Sequence, residues 1–287
     1  MTRPDPETWE ARKAAEFHNP HNTEWRRQLA EGNTILRAQV GSGLHGVTVA
    51  GTDDRDEMGI CIEPPECVIG LRKFEQYQYR TQPEGVRSGT GDLDLVIYSL
   101  RKWARLAAQG NPTVLLMLFV PEHEIVGINW AGRELLANAD LFLSRSAGYR
   151  FIGYLDSQRE RMLGLRSQRT NRPELVETYG FDTKFAYHAI RLGMQGVELL
   201  TTGRITLPIP EPSRSWLHDL RTGKVAQSAV LDNIDLLRGH LARLTKTADL
   251  PERPDYDRLN RWLIDTHTDW WESVYSVCPV RYSDDTS

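Results

Sequence analysis

Cysteine is scarce: the chain has three in 287 residues. An odd number, with Cys61, Cys67 and Cys278 at no metal-binding spacing, excludes a disulfide framework and a cysteine-based zinc site. No apolar run approaches the length of about 18 residues needed to span a bilayer, and the mean hydropathy is -0.49. The start Met1-Thr2-Arg3-Pro4-Asp5-Pro6 lacks the apolar stretch of a secretion signal, so a cytoplasmic protein with no membrane partner is expected. Positive charge is not in excess either. Lys+Arg 35 against Asp+Glu 39 gives a formal net charge of -4, which argues against an extended DNA-binding surface and leaves room for a local basic groove. There is no internal repeat. His123-Glu124 is not the start of H-E-x-x-H, because position 127 is Gly. Against these absences stand 40% hydrophobic residues and 8 Trp, enough for a sizeable core.

Helical spacing over residues 5 to 33 leads into Thr34–Val40, a short β-run that stops at the loop Gly41-Ser42-Gly43. Glu57–Ile62 reads as a strand closed by Pro64-Pro65. Asp92–Tyr98 reads as another, whose alternation puts Asp92, Asp94, Val96 and Tyr98 on one face. Residues 80 to 91, rich in Gly, Ser, Thr and Pro, read as a loop. From Ser99 the period turns helical, through Leu100, Trp103, Leu106 and Ala107 to Gly110-Asn111-Pro112. Beyond residue 140 helical patterns dominate, clearest at 145–165, 183–202, 226–247 and 254–274, with Pro-rich breaks at 207–213 and 251–254. The expected fold is α+β: a small mixed β-sheet domain with helices over residues 1–140, then a mostly helical domain over 141–287. The cleft between two such layers is a usual place for a substrate. Trp262, Trp270 and Trp271, at helical spacing, read as core or a docking surface.

Gly41-Ser42-Gly43-Leu44-His45-Gly46 has the G-x-G-x-x-G form after an expected strand. A dinucleotide loop must open a helix, however, and Val47 to Asp54 is β-branched and then acidic. No G-K-[S/T] follows, so it is not a Walker loop. About ten residues on, Asp54-Arg55-Asp56 falls just before or on the next strand, where residues two apart face the same side and both carboxylates can reach one point. Such oxygen ligands suit Mg2+ or Mn2+. A second ion needs a carboxylate from a neighbouring strand, which Asp94, or else Asp92, can supply. Gly41 lets backbone approach a phosphate, and Ser42 offers a hydroxyl. These are the parts of a two-metal phosphoryl-transfer site. Each fragment alone also reads as ordinary structure: a strand-ending turn at Gly41-Ser42, a charged surface turn at Asp53–Glu57, the polar side of an edge strand at Asp92 and Asp94. In the later half Lys184, His188 and Arg191 share one helical face opposite Ala186, Ala189, Ile190, Gly193 and Val197. Three potential cations there could hold phosphates, or could simply face solvent.

Five blocks in order resemble the nucleotidyltransferase superfamily that includes DNA polymerase β. They are Gly41–Gly46, Asp54-Arg55-Asp56-Glu57-Met58-Gly59, Tyr98-Ser99-Leu100-Arg101-Lys102, Gly110-Asn111-Pro112, and Asp182-Thr183-Lys184-Phe185-Ala186-Tyr187-His188. More narrowly, they resemble predicted nucleotidyltransferases found beside RNA-repair genes and in bacteriophages, from about residue 35 to 265. One departure is that the family's loop often ends in Ser-Asp-x-Asp, whereas here Thr52-Asp53 precedes Asp54-Arg55-Asp56, leaving Asp54 and Asp56 as the pair after one inserted residue. The resemblance implies transfer of a nucleoside monophosphate from an NTP, ATP among them, to an acceptor hydroxyl with release of pyrophosphate. An RNA end is the first acceptor it suggests; a protein side chain or small molecule is the alternative. Asp54, Asp56 and Asp94 are implied as catalytic residues holding Mg2+, or Mn2+, with Gly41, Ser42, Lys184, His188 and Arg191 binding the nucleotide. The competing class is a nucleotide-binding regulatory or toxin–antitoxin-type protein whose transferase fold no longer turns over; the intact Gly-Ser and D-x-D favour the enzyme.

Overall fold

A computed structural model describes residues 19–48, 55–83, 86, 88–89, 91–166 and 172–275. Asp54, Thr52, Asp53, Cys278 and residues 5–18 of the first expected helix lie outside the described residues. The fold is α+β. A five-stranded mixed sheet has the order β3-β4-β2-β1-β5, formed by β1 (Thr34–Val40), β2 (Arg55–Cys61), β3 (Gln76–Arg80), β4 (Leu93–Ser99) and β5 (Ile125–Ile128). The β2–β4 pair is parallel and the other three pairs are antiparallel. Both edge strands, β3 and β5, escaped the sequence reading. Gln76-Tyr77-Gln78-Tyr79-Arg80 is largely polar, and Ile125–Ile128 is only four residues long, and an edge strand needs only one partner to persist.

The alternation on β4 is as expected: Leu95, Ile97 and Ser99 are buried, while Asp94, Val96 and Tyr98 turn to the other face. One local expectation is corrected. Gly41–Leu44 forms a single helical turn, not a loop. Gly41, at φ +81°, swings the chain off β1, and the Gly46 and Val47 amides then donate to the carbonyls of Gly43 and Ser42 at 2.9 and 3.3 Å. At four residues this turn is too short to act as a pyrophosphate-binding helix.

Ser99 caps the helix Leu100–Ala108, its hydroxyl accepting from the Lys102 amide at 3.2 Å. Asn111 caps the next turn, and Gly110, at φ +75°, sits where a Cβ would come within 2.4 Å of Ala147 Cα. This close approach seats the Gly110-Asn111-Pro112 corner against the start of the helix Ala147–Met162. The later half is built from that helix and from Thr183–Thr202, Ser213–Arg221, Gln227–Thr247 and Tyr256–Tyr275. Thr183–Thr202 packs on both Ala147–Met162 and Gln227–Thr247. Trp103, Phe142 and Trp262 stack edge to face at 5.0 and 5.7 Å, so the core runs without a break from beneath the sheet into the last helix. Trp271 donates to the Glu63 carbonyl at 2.9 Å and Trp270 is buried, which makes this tryptophan stripe core. Among the described residues no helix is long and apolar enough to cross a membrane, and Cys61 and Cys67 are buried free thiols.

Candidate active site

β1 delivers Gly41 at its end, and β2 and β4 each deliver an aspartate as their second residue. Because β2 and β4 run parallel, Asp56 and Asp94 are register partners across the pair. Both line a cleft of about 430 Å3, together with Gly41, His45, Tyr98 and Arg191. A Cβ at position 41 would lie 2.2 Å from Asp56 Oδ2, so only glycine leaves room for the carboxylate there. The Asp94 carboxylate is held by Arg80 Nε at 2.6 Å, Ser88 Oγ at 2.6 Å and Gln82 Nε2 at 3.1 Å. Asp92 lies just before β4; its carboxylate accepts from the Gly89 amide and Thr81 Oγ1, each at 2.9 Å, and these bonds hold its pKa below the usual carboxylate range. Asp94, not Asp92, is on the cleft wall. Arg55, the middle residue of the D-x-D, joins Arg37 in clamping the buried Glu57. A buried carboxylate needs such compensation, and this one, which also contributes to the cleft lining, braces β1 against β2.

The opposite wall comes from Thr183–Thr202. Asp182 caps it, accepting from the Lys184 and Phe185 amides at 3.0 Å each, so its place in the sequence block is explained by helix initiation. Arg191 Nη1 donates to Gln195 Oε1 at 2.8 Å, and Gln195 Nε2 lies 3.2 Å from His45 Nδ1. Since Gln195 spends its oxygen on Arg191, its amide nitrogen donates to His45, which fixes Nδ1 as an acceptor and puts the ring proton on Nε2. Arg191 Nε is buried with no hydrogen-bond partner. Buried guanidinium donors are costly to leave unpaired, and an anion would satisfy this one.

The three residues of the basic stripe do not share one environment. Arg191 alone of the three reaches the cleft lining; Lys184 and His188 lie outside it, as does Ser42. His188 is also not a cation at neutral pH: burial first, then the charges of Arg191, Lys184, Arg172 and Arg221, hold its pKa well below the ordinary value. Arg172 and Arg221, which come from other segments, thus add to the positive potential around His188. Sequence reading also missed His45 and Gln195. His45 was in view inside the glycine motif, and Gln195 stands four residues from Arg191, one turn along the same face.

Two expected outcomes arise here. Gly41→Ala forces a left-handed conformation on a residue with a Cβ, costing about 1–2 kcal/mol, and drives that Cβ into Asp56. A fall of roughly 2–8 °C in Tm is expected for a chain of this size; an unchanged melt would contradict the packing described. The second concerns pH. His45 is also held well below its ordinary pKa, by burial and by Arg191 and His188. Below about pH 6.5 the unfolded chain takes up protons at both imidazoles that the folded chain refuses. Stability from this source is therefore complete above that pH and declines as pH falls toward the folded values, by about 1 kcal/mol per histidine by pH 5.5. Thermal melts from pH 7.5 to 5.5 should show the decline, and a His188→Asn variant should show a shallower one; identical slopes would contradict it.

Among known proteins, no curated sequence matches. A nucleotidyltransferase-like protein from Exiguobacterium sibiricum 255-15 is a structural neighbour at 11% identity and a TM-score of 0.28, covering 88% of this chain and 78% of that one. The profile of the RNA repair pathway DNA polymerase beta family matches residues 9–265. That span includes Gly41, Asp56, Asp94 and Arg191, and the chain belongs to the RNA repair pathway DNA polymerase beta family.

Proposed function

We propose that this protein is a divalent-metal-dependent nucleotidyltransferase that moves a nucleoside monophosphate from an NTP to the hydroxyl of an RNA end and releases pyrophosphate. In this reading residues 1–140 form the catalytic domain and residues 141–287 supply the phosphate-binding wall. The observation that carries it is the pairing of Asp56 with Asp94 across β2 and β4, with Gly41 beside them and Arg191 on the facing wall of the same cleft. The donor set fits a hard cation: two carboxylates side by side, with space at Asp56 Oδ2 that any Cβ at position 41 would fill. Among the described residues no three His, Cys, Asp or Glu side chains cluster as ligands. Asp56 and Asp94, with Asp54 preceding them in the motif, are the residues that would hold Mg2+ or Mn2+.

When bound, such ions lower the pKa of an attacking hydroxyl and offset charge on the departing pyrophosphate. Arg191 donates to a phosphate oxygen, with Gln195 fixing the guanidinium and His45 presenting Nε2–H from the glycine turn. Arg80 competes with any cation at Asp94, so loading the site requires Arg80 to give way. The test is incubation with each α-labelled NTP, Mg2+ and a pool of RNA, with the protein itself as a second acceptor. Label on RNA is expected. Label on the protein alone would make a side chain the acceptor, and nucleotide binding without transfer would favour the regulatory reading.

A further inference from the structure

A second groove, of about 680 Å3, opens beside the start of the helix Leu100–Ala108. It is lined by Cys67, Phe74 and Ser99, and Ser99 points to the side of β4 opposite Asp94 and Tyr98. Its charge is opposite in sign to that of the whole chain: Arg72, Lys73, Arg101, Lys102 and Arg105 face only Glu63 and Glu75. Glu63 is buried against His267 at 3.4 Å, and Glu75 is taken by Lys102 and Arg105 at 3.2 and 3.3 Å. Among the described residues Arg72, Lys73 and Arg101 are exposed and have no carboxylate partner. Tyr256, half exposed, stands on the same groove. Arg72 lies over the Trp25 ring at 5.7 Å and Arg101 donates to the Val68 carbonyl at 3.4 Å, contacts that leave their charge uncompensated, and cations without a carboxylate beside an accessible aromatic ring are the requirements for tracking a phosphate backbone and stacking a base.

The groove adjoins the candidate active site. Lys102 lies 5.5 Å from the centroid of the Tyr98 ring, which lines the catalytic cleft, and bonds Gln76 of the edge strand β3 at 2.6 Å. We propose that this groove binds the backbone of a single-stranded RNA whose end is the acceptor in the cleft, with Arg72, Lys73 and Arg101 on phosphates and Tyr256 under a base. The assignment of the strand as acceptor rests on the transferase reading. A negative chain with a local basic groove suits a footprint of a few nucleotides, not a long duplex contact.

The experiment is fluorescence anisotropy of an end-labelled, single-stranded oligoribonucleotide of about ten residues, titrated with the full chain at several salt concentrations. Removing three phosphate contacts in Arg72→Ala/Lys73→Ala/Arg101→Ala should lower the slope of log K against log salt by about 2 and weaken binding more than tenfold at low salt. Arg133→Ala/Arg204→Ala/Lys246→Ala, which removes the same charge from other surfaces, should leave both nearly unchanged. Tyr256→Ala should cost roughly 5- to 150-fold in affinity with the slope retained. Melts and NTP titrations of both triple variants serve as controls for fold and for the catalytic cleft. Wild-type RNA affinity in the groove variant, or an equal loss in the control, overturns the proposal. Its failure is separable from failure of the transferase reading. Label transfer by a chain that binds no RNA sinks the groove alone, whereas salt-sensitive groove binding in a chain that binds no NTP sinks the transferase alone.

Discussion

Asp56→Ala is expected to lose nucleotidyl transfer by about 1,000-fold or more while the protein stays folded. The carboxylate stands beside its register partner Asp94 on the wall of the cleft. A ligand to a catalytic divalent ion contributes several kcal/mol of transition-state charge stabilisation, and each 1.36 kcal/mol is about a factor of ten in rate. Its loss should leave the fold intact, because Asp94 keeps its own partners Arg80, Ser88 and Gln82. The Tm of Asp56→Ala in the absence of divalent metal should stay close to that of the wild type. Asp54→Ala, at the other acid of the motif, is expected to behave alike. Turnover at the wild-type rate in Asp56→Ala would contradict the metal assignment.

Arg191→Ala is the second large effect. Its guanidinium faces the same cleft, is fixed by Gln195 and keeps a buried Nε without a partner. Deleting a charge-assisted hydrogen bond to phosphate costs about 1.5–3 kcal/mol, or roughly 10- to 150-fold in NTP affinity. The loss should be greater for a triphosphate than for the nucleoside. Lys184→Ala should cost much less, because Lys184 lies outside the cleft lining. Isothermal titration of a non-hydrolysable NTP and of the nucleoside into both variants reads this directly, and unchanged triphosphate affinity in Arg191→Ala would contradict it.

Local chemistry explains why some of this was legible in the sequence. Thr183–Thr202 has the expected bounds because an Asp182 cap, a helical apolar period and a left-handed Gly203 all mark the same segment. Thr34–Val40 likewise ends where Gly41 permits the turn. The pairing of Asp56 with Asp94 is another matter. It depends on β4 adding in parallel beside β2 after the chain has passed through β3, a long-range choice that no local period encodes. The hold of Arg80 on Asp94 was invisible for the same reason, since it comes from a polar edge strand that carried no strand signal. Of the three potential cations on the helix face, spacing places His188 there but says nothing of what packs over it, and burial lowers its pKa.

The most direct test of the central claim is where the label goes when the wild-type chain is given the same NTP labelled at the α or at the γ phosphorus, with Mg2+ and RNA. Transfer through the Asp56–Asp94 cleft predicts α label on the acceptor and γ label in pyrophosphate, with both signals lost in Asp56→Ala. Label from the γ position on the acceptor or in free phosphate, or α transfer that survives Asp56→Ala, would contradict it.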